Sequence, residues 1–153
     1  MLRMVICCGG GMSSSVISVQ VKKAIQEKGW EDEISVAFMP LVFLEKHQEE
    51  FDIAMLCPHT MYYAQQMTDK NKIQLPLYVI PARLYGSLNL EYLREDAEDI
   101  LEIYAKTKEN PLHFPGEKFL EVKRNTSHRR WIKKHPQAVQ DCLCARTATP
   151  KAW

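Results

Sequence analysis

Short, largely apolar runs alternate with amphipathic stretches over the first 110 residues. Leu2 to Cys7 is a short run, apolar except for Arg3, fit for a strand buried on both faces. Val16 to Gly29 reads two ways. Ile17, Val19 and Val21 alternate with Ser18, Gln20 and Lys22 at a strand's period, while Ile17, Val21, Ala24 and Ile25 fit a helix's period equally well. The length of the segment and its closing Lys28-Gly29 favour the helix. Ile34 to Phe38 is β-branched and aromatic, which predicts a second strand. Pro40 opens a polar stretch holding Leu41 and Leu44, read as a short helix through Gln48.

Asp52 to Leu56 predicts a third strand, with Cys57-Pro58-His59 as the loop at its end. Thr60 is placed to cap a short helix, Met61 to Met67, with Tyr62, Tyr63 and Met67 expected on its inner face. Pro76 suits the first position of a strand, so Leu77 to Ile80 is the fourth, followed by a loop from Pro81 to Ser87. Asn89 opens the clearest helix. Leu90, Leu93, Ala97, Ile100, Leu101 and Tyr104 form one apolar stripe, acidic residues are expected opposite, and Asn110-Pro111 ends it. Strands alternating with helices imply parallel pairing and right-handed crossovers. The prediction is an α/β domain: a four-stranded parallel sheet in the order 2-1-3-4, helices on both faces.

In such a sheet ligands sit beyond the carboxyl ends of the strands, where strand order reverses. The sequence there is Cys8-Gly9-Gly10-Gly11-Met12-Ser13-Ser14-Ser15. Glycines let backbone approach a ligand closely, and the N–H groups of a loop and helix start attract an anion. A thiol at a helix start has its thiolate stabilised, from about 8.5 down to roughly 3.5–7.5. Cys8 is therefore the candidate nucleophile and a phosphoryl group its candidate ligand, with a phosphate loop between first strand and first helix. The loop is not a Walker loop, for no Gly-Lys-Ser/Thr follows, and Ser14 stands where a dinucleotide loop needs its third glycine. No Arg closes it, as one would in a cysteine phosphatase. The spacing alone also fits a tight strand-to-helix turn with an inert cysteine.

The loop resembles the active loop of the lactose/cellobiose class of enzyme IIB, from the bacterial sugar phosphotransferase system: Cys, two small residues, then Gly-Met-Ser-Thr/Ser-Ser. Asp52-Ile-Ala-Met-Leu-Cys-Pro-His59 is similar to that family's Ala-Asp-Val-Val-Leu-Leu-Gly-Pro-Gln, and Leu84-Tyr85-Gly86 matches its Leu-Tyr-Gly. The likeness covers about residues 1–108 and agrees with the helical reading of Val16 to Gly29. It implies a phosphocysteine carrier. Cys8 would take a phosphoryl group from a phosphohistidine on a IIA protein and give it to a sugar, a β-glucoside or disaccharide such as cellobiose or lactose, in a IIC membrane channel. Gly9, Gly10, Gly11, Met12, Ser13, Ser14 and Ser15 would cradle the phosphate, with His59 and Tyr85 as candidates for the surrounding shell. No cofactor or metal is implied. The alternative is a regulatory binding protein of the same fold that senses phosphorylation or sugar status. The run after the fourth strand departs from the family, with Ile80-Pro81-Ala82 where an acidic residue is common.

Composition adds two points. Five cysteines without regular spacing fit a reducing cytoplasm, and no run approaches the roughly 20 apolar residues of a membrane span or has the shape of a signal peptide. The expected location is cytoplasmic, with peripheral membrane association through the IIC partner. Charge is uneven: residues 1–116 carry 11 Lys and Arg against 16 Asp and Glu, whereas 117–153 carry 9 against 3. The expected organisation is a carrier domain over 1–110 and a basic, partly disordered extension over 111–153. No nucleic-acid partner is implied, although Lys123-Arg124, His128-Arg129-Arg130-Trp131 and Lys133-Lys134 leave one open.

Overall fold

The computed structural model describes residues 1–8, 14–70, 72–87, 89–114, 117, 122 and 124–136. Four strands, β1 (Leu2–Cys8), β2 (Ile34–Pro40), β3 (Ile53–Leu56) and β4 (Leu77–Val79), form one parallel sheet in the order β2-β1-β3-β4. β1 lies in the middle because it is apolar on both faces: Met4, Val5, Ile6 and Cys7 are all buried. Its register sets Leu2–Cys8 beside Ile34–Pro40 and Met4–Cys7 beside Ile53–Leu56.

Helices cover both faces. The helices α1 (Ser14–Lys28), α4 (Ala82–Ser87) and α5 (Leu90–Thr107) pack Val21, Ile25, Leu84, Leu93 and Ile100 on the face lined by Met4, Ile6, Ile53 and Met55. On the other face, Val5, Cys7, Ala54 and Leu56 meet Leu41, Leu44 and Ala64, from α2 (Leu44–His47), α3 (Met61–Asp69) and the turn before α2. α1 ends where the sequence places its stop. Gly29 takes φ +67°, its N–H donates to the Gln26 carbonyl, and the Trp30 N–H donates to Ile25.

Three expectations are corrected. Tyr62 and Tyr63 are 76% and 65% exposed; the inner positions of α3 are Met61, Ala64 and Met67, one helical turn apart. Thr60 does not cap α3 with its side chain, because its hydroxyl donates back to the Cys57 carbonyl at 2.7 Å. Residues 82–87 are helical rather than a loop: Leu84 is fully buried and anchors the turn, and the Tyr85 N–H donates to the Pro81 carbonyl at 2.8 Å.

α5 has the predicted cap and stripe. Asn89 accepts from the Tyr92 N–H at 3.2 Å, and Leu90, Leu93, Ala97 and Ile100 are buried. Asp96 departs from the acidic face and is 0% exposed. It accepts from the Tyr78 hydroxyl (2.9 Å), the His128 N–H (2.8 Å) and Arg124 (2.8 Å). The chain after α5 therefore joins the same core. Leu112 pairs beside Tyr78 and donates its N–H to the Leu77 carbonyl at 2.7 Å, while Phe114 packs edge-on against Tyr78. A final helix, α6 (His128–Lys134), lies along α5, with Arg129 on Asp99 and Arg130 on Glu91 and Glu95.

Candidate functional site

The strand order reverses between β1 and β3. α1 leads from β1 to β2 over one face, and the next connection returns over the other face to β3. Cys8 is the last residue of β1 at this reversal, beside Pro40 of β2. α1 begins six positions later at Ser14, so its unpaired first-turn N–H groups and the positive end of its dipole face the carboxyl edge. Fifteen residues of helix give that dipole full length. Gly9, Gly10, Gly11, Met12 and Ser13 lie outside the described residues. Ser14 and Ser15 form the start of α1, and their side chains, like that of Cys8, are outside the description.

The turn after β3 is the second wall of this edge. Cys57 is extended (φ −64°, ψ 145°) and buried, and its N–H donates to the Cys7 carbonyl at 3.1 Å. The Cys57 carbonyl in turn accepts both the N–H and the hydroxyl of buried Thr60, at 3.0 and 2.7 Å. Pro58, His59 and Thr60 thus form one fixed 3-10 turn with His59 exposed on it, adjacent to β1. Tyr85 is farther away. It follows β4, two strand spacings or roughly 10 Å from β1, and is partly buried against the core. The structure therefore groups Cys8, the start of α1 and His59 on one edge and sets Tyr85 towards its side.

Sequence reasoning missed one feature here. Val42 (71% exposed) and Phe43 (53%) follow β2, and exposed Tyr62 and Tyr63 follow β3. All four belong to segments that leave carboxyl ends of strands, and that shared position was the available signal. A shallow hollow lined by Met1, Phe51, Asp52, Leu75 and Tyr104 lies at the amino edge, the opposite end from Cys8. Among the described residues no group of His, Cys, Asp and Glu is arranged to hold a metal ion, and no helix is long and apolar enough to cross a membrane.

A doubly wound parallel sheet with a cysteine at its order reversal, ahead of a helix start, defines an α/β domain of the class that places ligands beyond the carboxyl ends of its strands. The chain belongs to the PTS system, Lactose/Cellobiose specific IIB subunit family, whose family model matches residues 3–96. That segment contains all four strands, α1 to α4 and the first part of α5. Its role is accordingly that of a phosphotransferase in PTS sugar phosphotransfer. No curated protein matches the chain.

Proposed function

We propose that this chain is a phosphocysteine carrier of sugar uptake, with Cys8 as the residue that is phosphorylated. The observation that carries the reading is the position of Cys8, last in the central strand, at the order reversal and in front of α1. The Cys8 thiolate attacks phosphorus on the phosphohistidine of a IIA protein. The P–N bond breaks, an S–P bond forms, and the imidazole leaves neutral once it takes up a proton. In the second step a sugar hydroxyl in a IIC channel attacks the same phosphorus, the S–P bond breaks, the hydroxyl proton passes to solvent and the thiolate is restored. The sugar is a β-glucoside or disaccharide such as cellobiose or lactose.

Backbone N–H groups of residues 9–15 and the hydroxyls of Ser13, Ser14 and Ser15 hold the equatorial oxygens in this reading. Preorganised donors of this kind are the main contribution a protein makes to a loose phosphoryl transition state. His59, exposed on the turn beside β1, is within the same edge and supplies a further donor. The loop sequence holds no Arg fork to clamp a phosphate for hydrolysis, so the intermediate outlasts the hand-over. Val42, Phe43, Tyr62 and Tyr63, exposed on segments leaving the same edge, offer an apolar rim for the protein partners. The carrier works in the cytoplasm and meets the membrane through its IIC partner.

The test is intact-mass spectrometry after incubation with phosphoenolpyruvate, the upstream relay proteins and a panel of IIA proteins. One phosphoryl adduct mapped to Cys8, and absent from Cys8→Ser, is expected. Full acceptance by Cys8→Ser, or an adduct on another residue, overturns the assignment. No adduct with any IIA shifts the reading to a regulatory protein of this fold.

A further inference from the structure

The turn that leaves β3 is braced from both sides. The Leu56 carbonyl accepts from the Ile80 N–H at 2.9 Å, and the Cys57 N–H donates to the Cys7 carbonyl of β1 at 3.1 Å. Pro58 comes next, its ring fixing φ. Thr60 then closes the turn by donating both its N–H (3.0 Å) and its hydroxyl (2.7 Å) to the Cys57 carbonyl. Either bond alone would satisfy that carbonyl. A Thr just ahead of a helix ordinarily has extended angles and accepts from a helix N–H. Thr60, 1% exposed, instead has φ −95° and ψ 2°, and its hydroxyl turns back onto the turn. The residue enclosed between Pro58 and Thr60 is His59, whose side chain is exposed. Charge along this edge is sorted as well. The segments that leave β2, β3 and β4 there, residues 41–43, 57–63 and 81–87, include no Asp or Glu, although acidic residues outnumber basic ones over 1–116. Their basic residues are His59 and Arg83. His59 follows the strand next to β1, whereas Arg83 follows the edge strand β4.

We propose that Thr60 is a positioning residue of the phosphoryl site: its hydroxyl locks the Cys57–Thr60 turn and so holds the His59 imidazole where it donates to the phosphoryl oxygens. The inference rests on the reading of this edge as the phosphoryl site, with His59 as one of its donors. A donor assists the transfer only as far as it is in place before charge moves, and a misplacement of about 1 Å can cost on the order of 100-fold in rate. Without the hydroxyl the turn is closed by the Thr60 N–H alone, and the segment carrying His59 gains freedom. The absence of carboxylates from the neighbouring segments leaves an incoming anion without a like charge to oppose it.

The experiment uses the reduced full-length chain. Phosphoryl transfer from a phosphorylated IIA protein is followed over a range of donor concentrations for Thr60→Val, Thr60→Ser, His59→Ala and the double variant His59→Ala with Thr60→Val. Each is checked for folding by circular dichroism. Thr60→Val should lower the maximal rate by about 10-fold to 100-fold with little change in KM, and Thr60→Ser, which keeps the hydroxyl, should recover most of the rate. His59→Ala should lower it at least as far, and the double variant should be no slower than His59→Ala, because Thr60 acts through His59. A second readout needs no partner protein. The His59 imidazole signal, assigned in NMR spectra by its loss in His59→Ala, is followed as inorganic phosphate is added. It should shift in the unsubstituted chain and in Thr60→Ser, and several-fold less in Thr60→Val. An unchanged rate in Thr60→Val, equal losses in the Val and Ser variants, losses that add in the double variant, or a His59 signal that phosphate does not move overturns the proposal. If Thr60→Val does not fold, Thr60→Ala takes its place, and a His59 signal unmoved in the unsubstituted chain overturns the proposal whichever variants fold. No transfer from any IIA, with a phosphate response at His59 that depends on the Thr60 hydroxyl, removes the carrier reading and leaves the positioning role standing. Transfer to Cys8 with an unmoved His59 signal does the reverse.

Discussion

Replacing Arg124 by Met removes the cation that pairs with buried Asp96 and Glu117, and the structure gives the size of the effect. The Arg124 guanidinium is 2% exposed and spends its five N–H donors on the protein. Nε donates to Glu117 at 2.6 Å, one terminal nitrogen donates to Asp96 and the Thr126 carbonyl, both at 2.8 Å, and the other donates to the Tyr78 hydroxyl (2.6 Å) and Glu117 (3.3 Å). The Phe114 ring lies 5.1 Å from the guanidinium carbon. Met keeps most of the volume and none of the charge. Asp96, 0% exposed, then holds a carboxylate with no cation. Breaking a buried pair from one side costs roughly 3–5 kcal/mol, a large part of the roughly 5–15 kcal/mol that holds a domain folded.

The pH dependence identifies the cause. Burial raises Asp96 and Glu117 above the ordinary carboxylate range even though the Arg124 guanidinium pulls both the other way. A raised carboxyl binds more protons in the folded than in the unfolded state. Its contribution is therefore fully present below about pH 4 and is lost as pH rises through the folded pKa. Without Arg124 both groups move higher still, and the loss deepens towards neutral pH. Urea unfolding followed by circular dichroism should show a penalty for Arg124→Met that is largest at pH 7.5 and shrinks towards pH 4.5. Adding Asp96→Asn should recover part of it at pH 7.5. A penalty under about 1 kcal/mol at neutral pH, where a buried unpaired charge costs several, or one that does not change with pH, would refute this account of the cluster.

Three further outcomes are expected. Cys7→Ala should leave phosphoryl acceptance intact in the mass assay, since Cys7 faces away from position 8 into the other core layer; a loss equal to that of Cys8→Ser would mean that the nucleophile was misassigned. Tyr62→Ser with Tyr63→Ser should shift stability by less than about 0.5 kcal/mol because both rings are exposed, yet should raise the KM for the IIA donor several-fold. Asn110→Ala should cost about 1–3 kcal/mol in urea unfolding, because its side chain accepts from the Leu77 N–H and donates to the Leu75 carbonyl at the entry to β4.

The sheet was legible because its strands are short, largely apolar runs, and such runs belong in a layer covered twice. The place of Cys8 followed from strand, loop and helix start in succession. The α1 reading needed the family resemblance, since its apolar residues satisfy both periods. What stayed hidden depended on distance along the chain. Asp96 reads as solvent-facing until Arg124, 28 residues later, is brought against it. Tyr62 and Tyr63 read as core by residue type, but Ala64 takes the inner position because α3 lies close to the sheet there. Residues 82–87 read as a loop from Pro81, Gly86 and Ser87, and the burial of Leu84 makes them a helix instead.

The buried charges also explain why the chain beyond the family match belongs to this core. β4 is an edge strand, and Tyr78 points its ring into the layer beneath α5. A buried hydroxyl needs a partner, and Asp96 of α5 supplies it at 2.9 Å. A buried carboxylate then needs a cation, and within reach on the described elements that cation is Arg124, beyond residue 96 where the match ends. Leu112 extends the same logic to the backbone, giving its N–H to Leu77 on the open side of β4, where an unpaired edge invites association. One tyrosine on the edge strand thus requires an aspartate on α5, and the aspartate requires an arginine in the tail. Burial holds the Tyr78 hydroxyl protonated far above its usual range, which keeps it a donor to Asp96 while Arg124 donates to it. Along α5, Arg129 and Arg130 pair with Asp99, Glu91 and Glu95, so the tail's positive charge is directed onto the helix whose acidic residues it neutralises.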